Sequence, residues 1–470
     1  MEILHISAEC YPVAKAGGLG DVAGALPKYQ QKAGHTAMLV MPMYRTRFLY
    51  EHEWEVDFKS HTNMGDLWFD YTVIKEKHDT LGFTLYLLDI NGLLDREKVY
   101  GYDDDPQRFT AFQIAVTHWL NHWESKPDIV HCHDHQAGLI PFMFKYCYGF
   151  QSLKSIPTVF TIHNAEYQGW LGWDKSTWIP AYDTWKTGLL DWNNNINPLA
   201  SAVKSAWKVT TVSPSYMGEL KYSSNGLEAL FEYEKGKCSG ILNGIDTEVW
   251  NPMTDKFITN NFSIKNITEG KQANKEALCK EFGLNPKMPL FTFIGRLVHE
   301  KAADILPDAI LSSIYSLKGE CSFFILGSGS TQIEQQLYRL QGHFPGIYTA
   351  VIGYNEALSH RLYASADFLL MPSRIEPCGL NQMYAMRYGT VPMVRRTGGL
   401  IDTVKDMGEE EGWGLCFNSA SVGDVVHAAD RATGLYKNKD HLSIVRTRMM
   451  NIDHSWENTV EQYIALYEGV

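Results

Sequence analysis

Basic side chains and glycines follow the first predicted strand in the first half of the chain. Lys15, Gly17 and Gly18 come after the apolar run 2–7 and before a predicted helix over 20–33. Glycine lets the backbone approach a ligand closely, and a helix N-terminus favours an anion. The pattern is neither G-x-G-x-x-G nor a P-loop, in which the lysine follows the glycines. By itself this motif leaves a phosphate site and a purely structural turn both open.

A second set of cations follows the first predicted strand of the other half. The run 290–294 leads into Arg296 and Lys301, which we expect at the C-terminal end of a parallel strand, where open α/β sheets bind ligands. A solvated surface pair is the alternative. Two domains that each direct cations from a first strand would suit a diphosphate. Three residues at the start of a later predicted helix would offer it backbone amides: Thr397, Gly398 and Gly399.

One carboxylate stands out among these basic residues. Glu376 lies within the sequence PSRIEPCGLNQ, in a loop between the predicted strand 368–371 and a helix over 380–388. A carboxylate beside a diphosphate is unfavourable unless it binds something else, because like charges repel at short range. Sugar hydroxyls are suitable partners. The segment therefore indicates a site for a nucleotide-linked sugar.

Three histidines follow one another at alternate positions near the end of another predicted strand. His131, His133 and His135 are expected on one face of that strand, where they could bind zinc, serve the core or contact substrate. No carboxylate or histidine cluster completes a metal-binding spacing, so we predict no metal site. Four polar residues follow the next strand and are expected at the same edge: His163, Asn164, Tyr167 and Gln168.

The composition limits the class of protein. The 470 residues include 42 Lys and Arg and 54 Asp and Glu, a net charge of −12, and 45% are hydrophobic. These values argue against disorder and against general nucleic-acid binding. The N-terminus lacks a basic segment typical of a signal peptide, and no apolar run reaches 18 residues. Eight scattered cysteines without a C-x-x-C pair favour reduced thiols, so we expect a cytoplasmic protein without membrane contact.

Short apolar runs alternate with helical patterns through both halves, which predicts an α/β fold with two doubly wound parallel sheets. The predicted strands of the first half are 2–7, 36–41, 83–90, 128–132, 157–162 and 208–213. Those of the second half are 290–294, 323–327, 348–352, 368–371 and 391–394. An Asn-Gly turn near residue 244 suggests domains over 1–245 and 246–450. The segment 451–470 contains a helical pattern that could pack back on either domain.

The motifs together resemble one enzyme family. KAGGLGDV, HCHDHQAGL, TIHNAEYQG, TVSP, LNGID, GRL…EK, SRIEPCGLNQ and VRRTGGLIDTV occur in the order typical of bacterial glycogen synthases and plant starch synthases, glycosyltransferase family 5. The resemblance implies the GT-B fold, two Rossmann-like domains facing a deep interdomain cleft, with the last helix crossing back to the first domain. It also implies transfer of α-glucose from ADP-glucose to the non-reducing-end 4-hydroxyl of an α-1,4-glucan, with retention and without a cofactor.

The resemblance assigns roles to individual residues. It places the acceptor on the first domain and the donor on the second, with Glu376 facing the transferred glucose and Tyr354 stacking on the base. The residues implied in catalysis are Glu376, His133, Lys15, Arg296 and Lys301. Those implied in donor binding are Lys15, Gly17, Gly18, Asp21, Asn243, Arg296, Lys301, Tyr354, Cys378, Gly379, Leu380, Thr397, Gly398 and Gly399. Those expected on the acceptor or sugar side are His163, Asn164, Tyr167 and Gln168.

Some residues depart from the family pattern. Glu300 and Ala302 replace a glutamine and a glycine beside the second-domain cations, and His135 replaces an aromatic residue of the acceptor side. An acidic neighbour weakens the local positive field. Three hypotheses follow: a synthase that uses ADP-glucose, the same reaction with UDP-glucose, and a non-catalytic glucan-binding relative. The sequence leaves the oligomeric state open.

Overall fold

The structure, a computed structural model, describes residues 1–470. The chain forms two compact units. Unit 1 comprises Met1–Asn243 and Trp456–Val470, and unit 2 comprises Gly244–Ser455. None of the helices combines the length and apolar character needed to cross a membrane.

Unit 1 is built on a nine-stranded sheet of order β11-β10-β7-β6-β1-β2-β5-β4-β3. The nine strands of this sheet are β1 Glu2–Ile6, β2 Thr36–Pro42, β3 Trp54–Met64, β4 Leu67–Glu76, β5 Thr84–Asp89, β6 Ile129–His133, β7 Thr158–Ile162, β10 Lys208–Thr211 and β11 Cys238–Gly240. Two further strands, β8 Asp191–Trp192 and β9 Asn195–Ile196, form a small separate hairpin. The central strands are parallel and almost wholly buried, as continuous apolar runs predict. The edge pair β3–β4 is antiparallel and largely exposed.

Helices cover both faces of this sheet. They are α1 Gly18–Lys32, α2 Arg47–Glu51, α3 Asp105–Asn121, α4 Ile140–Tyr146, α5 Pro198–Ser205, α6 Pro214–Glu219, α7 Glu228–Tyr233 and, from the end of the chain, α16 Trp456–Glu468. The last helix packs on α1, and its buried aromatic side chains Trp456 and Tyr463 share an apolar cluster with Ile3 and Val22. The C-terminal helix is thus part of the core of unit 1.

Unit 2 contains a six-stranded, wholly parallel sheet of order β14-β13-β12-β15-β16-β17. Its strands are β12 Leu290–Leu297, β13 Ser322–Gly329, β14 Tyr348–Ile352, β15 Phe368–Met371, β16 Val391–Arg395 and β17 Leu415–Phe417. Its helices are α8 Ile267–Phe282, α9 Leu306–Ser316, α10 Thr331–Leu340, α11 Glu356–Ser365, α12 Asn381–Arg387, α13 Gly399–Thr403, α14 Val422–Lys437 and α15 Lys439–Met450.

The first strand of each unit lies at the point where the strand order reverses. In unit 1, β1 pairs with β2 on one side and with β6 on the other. In unit 2, β12 pairs with β13 and with β15. Loops leaving the carboxyl ends of such strands diverge and leave a crevice for a ligand. The predicted cation-bearing loops follow these two strands.

Candidate functional site

The loop after β1 places Lys15 beside an acidic partner. Lys15 Nζ lies 2.6 Å from Asp21 Oδ1, and Asp21 belongs to the first turn of α1. About a third of the Lys15 side chain is exposed (33%), so it is accessible to an anion. Asp21 therefore orients this lysine from a helix whose start the glycine motif predicted.

A buried carboxylate that the sequence reasoning missed shapes the same loop. Glu9 accepts hydrogen bonds from the backbone N–H groups of Ala16 and Gly17 at 2.6 and 2.8 Å, and from the Tyr100 hydroxyl at 2.7 Å. The Gly17 amide is thus bound within the chain, while Gly18 begins α1. The glycine loop is held in shape by Glu9, and the signal in the sequence was an acidic residue shortly after the first strand.

The expected row of three histidines on one strand face is corrected. His131 and His133 lie on β6 with stacked rings at 4.3 Å, but His135 lies in a short 3-10 turn and faces the Tyr167 carbonyl at 3.1 Å. The strand ends at His133, because Asp134 adopts φ +55° and turns the chain. A different histidine, His5 of β1, completes the cluster.

This cluster has the spacing of a metal site but the hydrogen bonding of a polar core. Ligand atoms of His5, His131 and His133 lie within 4.8 Å of one another. Each ring nitrogen of the three nevertheless has a protein partner within 2.6–3.0 Å. A metal would have to displace several of these bonds from a fully buried position, so the geometry favours a hydrogen-bonded network.

His163 joins this network at the carboxyl end of β7. Its Nε2 lies 3.0 Å from His133 Nδ1, and its backbone N–H donates to Asp134 Oδ1 at 2.7 Å. Burial raises the pKa of the Asp134 carboxyl to about 7, although backbone hydrogen bonds oppose the shift. Burial also lowers the pKa of His163 to about 3, so this ring is neutral near pH 7. The catalytic, sugar-side role implied for His133 is corrected: its ring is fully buried and both of its nitrogens are bound by His5 and His163, so it is not available to a sugar.

The other predicted sugar-side residues of unit 1 differ in character. Tyr167 is exposed, and the Asn164 side chain accepts from the Glu166 N–H at 3.0 Å. Gln168 is a correction: it is buried, and both ends of its amide bind protein groups, including Asn197 and the Asn225 carbonyl. It holds its loop in place and presents no free amide to a sugar.

Asn243, at the end of the first segment of unit 1, is a buried polar side chain. Its exposed fraction is 6%, and its Oδ1 has no hydrogen-bond partner. A buried acceptor without a partner costs free energy unless a ligand satisfies it. This position therefore fits the predicted ligand contact.

In unit 2 the acid and a cation predicted to act together form one ion pair. Lys301 Nζ lies 2.7 Å from both carboxylate oxygens of Glu376. The Ser373 hydroxyl donates to Glu376 Oε2 at 2.8 Å. Glu376 is only 6% exposed and lies in the loop after β15, as predicted. Ser373 is a further contact that sequence reasoning did not single out.

Backbone hydrogen bonds connect the loop after β15 to the turn after β12. The N–H groups of Arg374 and Ile375 both donate to the Glu300 carbonyl, at 2.8 and 3.2 Å. The Arg374 guanidinium binds both carboxylate oxygens of Asp304 at 2.5 and 2.9 Å, which lowers the pKa of that carboxyl. These bonds set the distance between the two chain segments that carry the acid and the cation.

Arg296 is the more exposed cation of this unit. Its guanidinium lies 3.2 Å from Glu300 Oε2, and half of its side chain (51%) is exposed. It belongs to β12, which extends to Leu297 rather than ending at the predicted residue 294. The Glu300 carboxylate thus competes for a cation that the sequence assigned to a phosphate.

Gly399, the first residue of α13, serves a different purpose from the predicted one. The Gly399 N–H donates to the carbonyl oxygens of Glu376 and Pro377, at 3.1 and 3.2 Å, so it is not the phosphate donor that we expected. A Cβ at Gly399 would collide with the Cys378 carbonyl, and Gly398 adopts φ +45°. Only glycine permits this close approach, in which the start of α13 packs against the backbone of the loop that carries Glu376.

The remaining predicted donor residues of unit 2 are placed as follows. Cys378 is buried beside Glu376, Gly379 has φ +76°, and Leu380 precedes α12. Thr397 is buried at the turn before α13. Tyr354 follows β14, is 77% exposed and contacts Glu356 at 3.2 Å.

Comparison with known proteins assigns both halves of the chain. Residues 2–233 match the family described as starch synthase catalytic domain, and residues 288–438 match glycosyl transferases group 1. The chain is 52% identical to a glycogen synthase of Flavobacterium johnsoniae, over 99% of this chain and 98% of that one. It is 39% identical to glycogen synthase 1 of Synechocystis, over 100% of this chain and 95% of that one.

Solved structures agree with these matches. The catalytic domain of starch synthase IV from Arabidopsis thaliana, bound to ADP and acarbose, has a TM-score of 0.89 and 32% identity, and covers 100% of this chain and 99% of that one. A sucrose-phosphate synthase from Thermosynechococcus elongatus, with TM-score 0.63 and 16% identity over 99% and 98%, shares the fold. The expected GT-B fold and enzyme class are confirmed. The chain belongs to the family of glycogen and starch synthases, GT-B glycosyltransferases that transfer glucosyl units in glycogen synthesis.

Proposed function

We propose that the chain transfers α-glucose from ADP-glucose to the 4-hydroxyl at the non-reducing end of an α-1,4-glucan, with retention. The observation that carries this proposal is the buried Glu376 carboxylate, bound by Lys301 and Ser373 at the carboxyl end of a parallel sheet. ADP in the related starch synthase structure supports an adenine nucleotide as the leaving group. The proposal rests on the contacts of Glu376 and on the ADP in the related structure.

Unit 2 is proposed to bind the donor. Charge develops on the leaving diphosphate as the bond to the glucose C1 lengthens, so preorganised cations lower the barrier. Lys301, 22% exposed, and the more exposed Arg296 are the cations of unit 2 assigned to this role. Glu376 accepts hydrogen bonds from hydroxyls of the transferred glucose, and its contact with Lys301 links sugar and phosphate recognition. The exposed Tyr354 ring is assigned to the base, and Thr397 and Cys378 are assigned to the donor.

Unit 1 is proposed to supply one phosphate contact and to bind the acceptor. Lys15, oriented by Asp21, is the cation assigned to the phosphate. His163, backed by His133, is assigned to sugar hydroxyls, since neutral imidazole nitrogens suit uncharged partners. Asn243 offers its buried, unpartnered Oδ1 to the ligand.

The reaction balances without a separate protein base. The bond from C1 to the diphosphate oxygen breaks as the bond from C1 to the acceptor 4-oxygen forms on the same face. The acceptor hydroxyl proton passes to the leaving phosphate oxygen, whose negative charge grows during the step. The residues of the chain therefore hold charges and hydroxyls in place rather than exchange protons.

The test is transfer of radiolabelled glucose onto glycogen from ADP-glucose and UDP-glucose in parallel, with EDTA present. We expect strong incorporation from ADP-glucose. Preference for UDP-glucose would contradict the donor assignment and indicate that Glu300 and Ala302 alter the donor site. No incorporation from either donor by a folded protein that binds glycogen would favour a non-catalytic glucan-binding protein.

A further inference from the structure

An exposed tryptophan lies on the loop that follows β7 in unit 1. Trp170 comes shortly after the sugar-side residues His163 and Asn164, and 54% of its surface is exposed. Single exposed aromatic rings are common on protein surfaces, so exposure alone assigns no role to this ring. The contacts that hold Trp170 in place are what distinguish it.

A buried glutamine binds the polar end of the indole. The Trp170 Nε1–H donates to Gln168 Oε1 at 2.8 Å. The Gln168 Nε2 group donates to the carbonyl oxygens of Ser224 and Asn225 at 3.3 and 3.1 Å. The glutamine therefore ties the exposed ring to a second segment of unit 1.

Only one orientation of the Gln168 amide satisfies these bonds. An indole N–H group can only donate, and a backbone carbonyl oxygen can only accept. Reversal of the amide would place its NH2 group against the indole N–H and its oxygen against two carbonyl oxygens. Gln168 is buried, so water could not replace the lost bonds. The position of the Trp170 nitrogen is thus fixed by groups that each have a single hydrogen-bonding role.

The backbone on both sides of Trp170 is anchored as well. Leu171 and Ile196 exchange two backbone hydrogen bonds, at 2.8 and 2.9 Å. Gly169 adopts φ +73°, and a Cβ at this position would lie 2.4 Å from His135 Cδ2. The loop is therefore packed against His135 on one side of the tryptophan and paired with β9 on the other, so the exposed ring is held before any ligand arrives.

The bound indole nitrogen determines which ligands the ring can accept. Since the Nε1–H of Trp170 is used within the chain, the exposed part of the side chain offers apolar contact only. A glucose ring presents C–H groups on its faces and hydroxyls at its rim, so it can cover an aromatic ring while its hydroxyls stay hydrated. The family transfers glucosyl units in glycogen synthesis, so a glucan is the ligand of this chemistry that the protein handles.

We propose that Trp170 binds an α-1,4-glucan by stacking on one of its glucose rings. The proposal rests on the proposed function, in which the acceptor binds to unit 1, and it adds a contact of a different kind from the hydrogen bonds assigned to His163. An apolar contact strengthens binding of the glucan and does not act on the charge that develops at the diphosphate. Loss of the ring is therefore expected to weaken acceptor binding and to leave the chemical step unchanged.

The first test is binding of maltoheptaose, an α-1,4-linked glucan, to the full chain with nitrogen-labelled tryptophan. NMR follows the indole N–H signals, and the Trp170 signal is assigned by its absence in Trp170→Phe. We expect this signal to shift on addition of maltoheptaose. By calorimetry, we expect the dissociation constant to rise roughly 10-fold in Trp170→Ala, because the apolar contact of half an indole is lost. Trp170→Phe keeps an apolar ring and is expected to bind within about threefold of the wild type.

The matched control is Trp185→Ala, because Trp185 is also exposed but lies on another segment of unit 1, Thr184–Leu189. An unmoved Trp170 signal, wild-type affinity in a folded Trp170→Ala protein, or an equal loss in Trp185→Ala would overturn the proposal. A Trp170 signal that moves with protein concentration and not with maltoheptaose would mean that a second copy of the chain covers the ring, which would overturn it too. Thermal unfolding shows whether each variant is folded.

The second test separates kcat from KM in the glucan transfer assay. Trp170→Ala is expected to raise the KM for glycogen roughly 10-fold, with kcat and the KM for ADP-glucose within about twofold of the wild type. A fall in kcat with an unchanged KM for glycogen would contradict a role in acceptor binding. If the wild type transfers no glucose while maltoheptaose still shifts the Trp170 signal, the proposed function fails and the glucan contact stands.

Discussion

The two units have the same architecture but place different kinds of polar groups at the carboxyl ends of central strands, β6 and β7 in unit 1 and β12 and β15 in unit 2. In unit 1 the end of the sheet carries neutral, hydrogen-bonded histidines, with His133 and His163 at its edge. In unit 2 the equivalent region carries ion pairs, foremost Lys301 with Glu376. The comparison teaches that the fold supplies the crevice while the side chains decide its chemistry.

The difference extends from the site into the cores. Unit 2 buries Asp367 between Lys275 and Arg446, at 2.6 and 2.8 Å, and their charges hold the pKa of that carboxyl below its ordinary value. Unit 1 buries one such cation, Arg108 in an ion pair with Asp105, but it also buries histidines that lose their charge. Fixed charges suit an anionic diphosphate, and neutral donors and acceptors suit sugar hydroxyls.

The largest expected loss of glucose transfer follows from removal of the Glu376 carboxylate of unit 2. Glu376→Ala leaves Lys301 without its partner and the glucose without an acceptor, and we expect transfer to fall by about 10³-fold. The measurement is kcat/KM for ADP-glucose, with circular dichroism to verify folding. The matched control is Glu410→Ala, an exposed acid of the same unit. Near wild-type turnover in a folded Glu376→Ala protein would contradict the role of this residue.

Loss of the cation of unit 1 tests whether that unit also needs a charge. Lys15→Gln removes the group assigned to the phosphate, and we expect kcat/KM for the donor to fall by about 10²-fold. Lys59→Gln, on the exposed strand β3, serves as the control. If Lys15→Gln behaves like this control, recognition of the phosphates belongs to unit 2 alone.

Acid should loosen unit 1 before unit 2. His5 and His163 have pKa values of about 4 and 3 in the folded chain and an ordinary value of 6.5. Between these values the unfolded chain binds more protons, so the free energy of unfolding falls as the pH drops below about 6.5, by about 1.4 kcal/mol per unit of pKa difference. Unit 2 has one such histidine, His454, whose pKa burial lowers to about 4. Its buried Asp367 has a lowered pKa, so the stabilisation by this carboxylate is lost only as the pH falls below 3.8.

Hydrogen exchange at pH 7.5 and pH 5, corrected for intrinsic rates, measures this difference. Amides of β1, β6 and β7 should lose more protection than those of β12, β13 and β15. Asp134 opposes the trend, since its raised pKa of about 7 stabilises the fold at lower pH. Earlier loss of protection in unit 2 would refute the comparison.

The smallest expected effect concerns Glu300, the acidic residue beside Arg296 in unit 2. Glu300→Gln removes the carboxylate that competes for Arg296, and we expect KM for ADP-glucose to fall about twofold, since an exposed pair of this kind is weak. The difference should vanish at high salt, which screens exposed charges. Glu276→Gln, an exposed acid on α8, is the control. An unchanged or higher KM at low salt would show that Glu300 does not weaken the cation.

Most of the parallel strands were predictable, but the short parallel edge strands β11 and β17 and the antiparallel hairpin β3–β4 were not. Each predicted apolar run forms a strand, because burial on both faces requires a continuous run. The hairpin β3–β4 was missed, because its exposed edge position mixes polar and apolar residues, without a continuous apolar run, and leaves only a few side chains buried. His135 was placed on the wrong element, because β6 ends at His133, where the positive φ of Asp134 turns the chain.

The candidate site likewise contains residues that were predictable from the sequence and contacts that were not. The loop containing Glu376 and the cations Arg296 and Lys301 were predictable from residue type and from their position after strands. The role of Gly399 was not, because whether an amide faces a ligand or a neighbouring carbonyl depends on the packing of two distant loops. The roles of Glu9 and Ser373 depend on the same kind of contact.

The sequence by itself determined the fold, the family and the local placement of acids and cations after strands, because these follow from apolar periodicity and from motifs within a few residues. Only the tertiary structure decided which polar groups meet. His5, Gln30, His133 and Tyr467 lie far apart along the chain, with a separation of 437 residues between Gln30 and Tyr467 alone, and no local pattern links them. Their hydrogen bonds arise because sheet order and the return of the last helix bring four elements to one buried point, where every donor must find an acceptor.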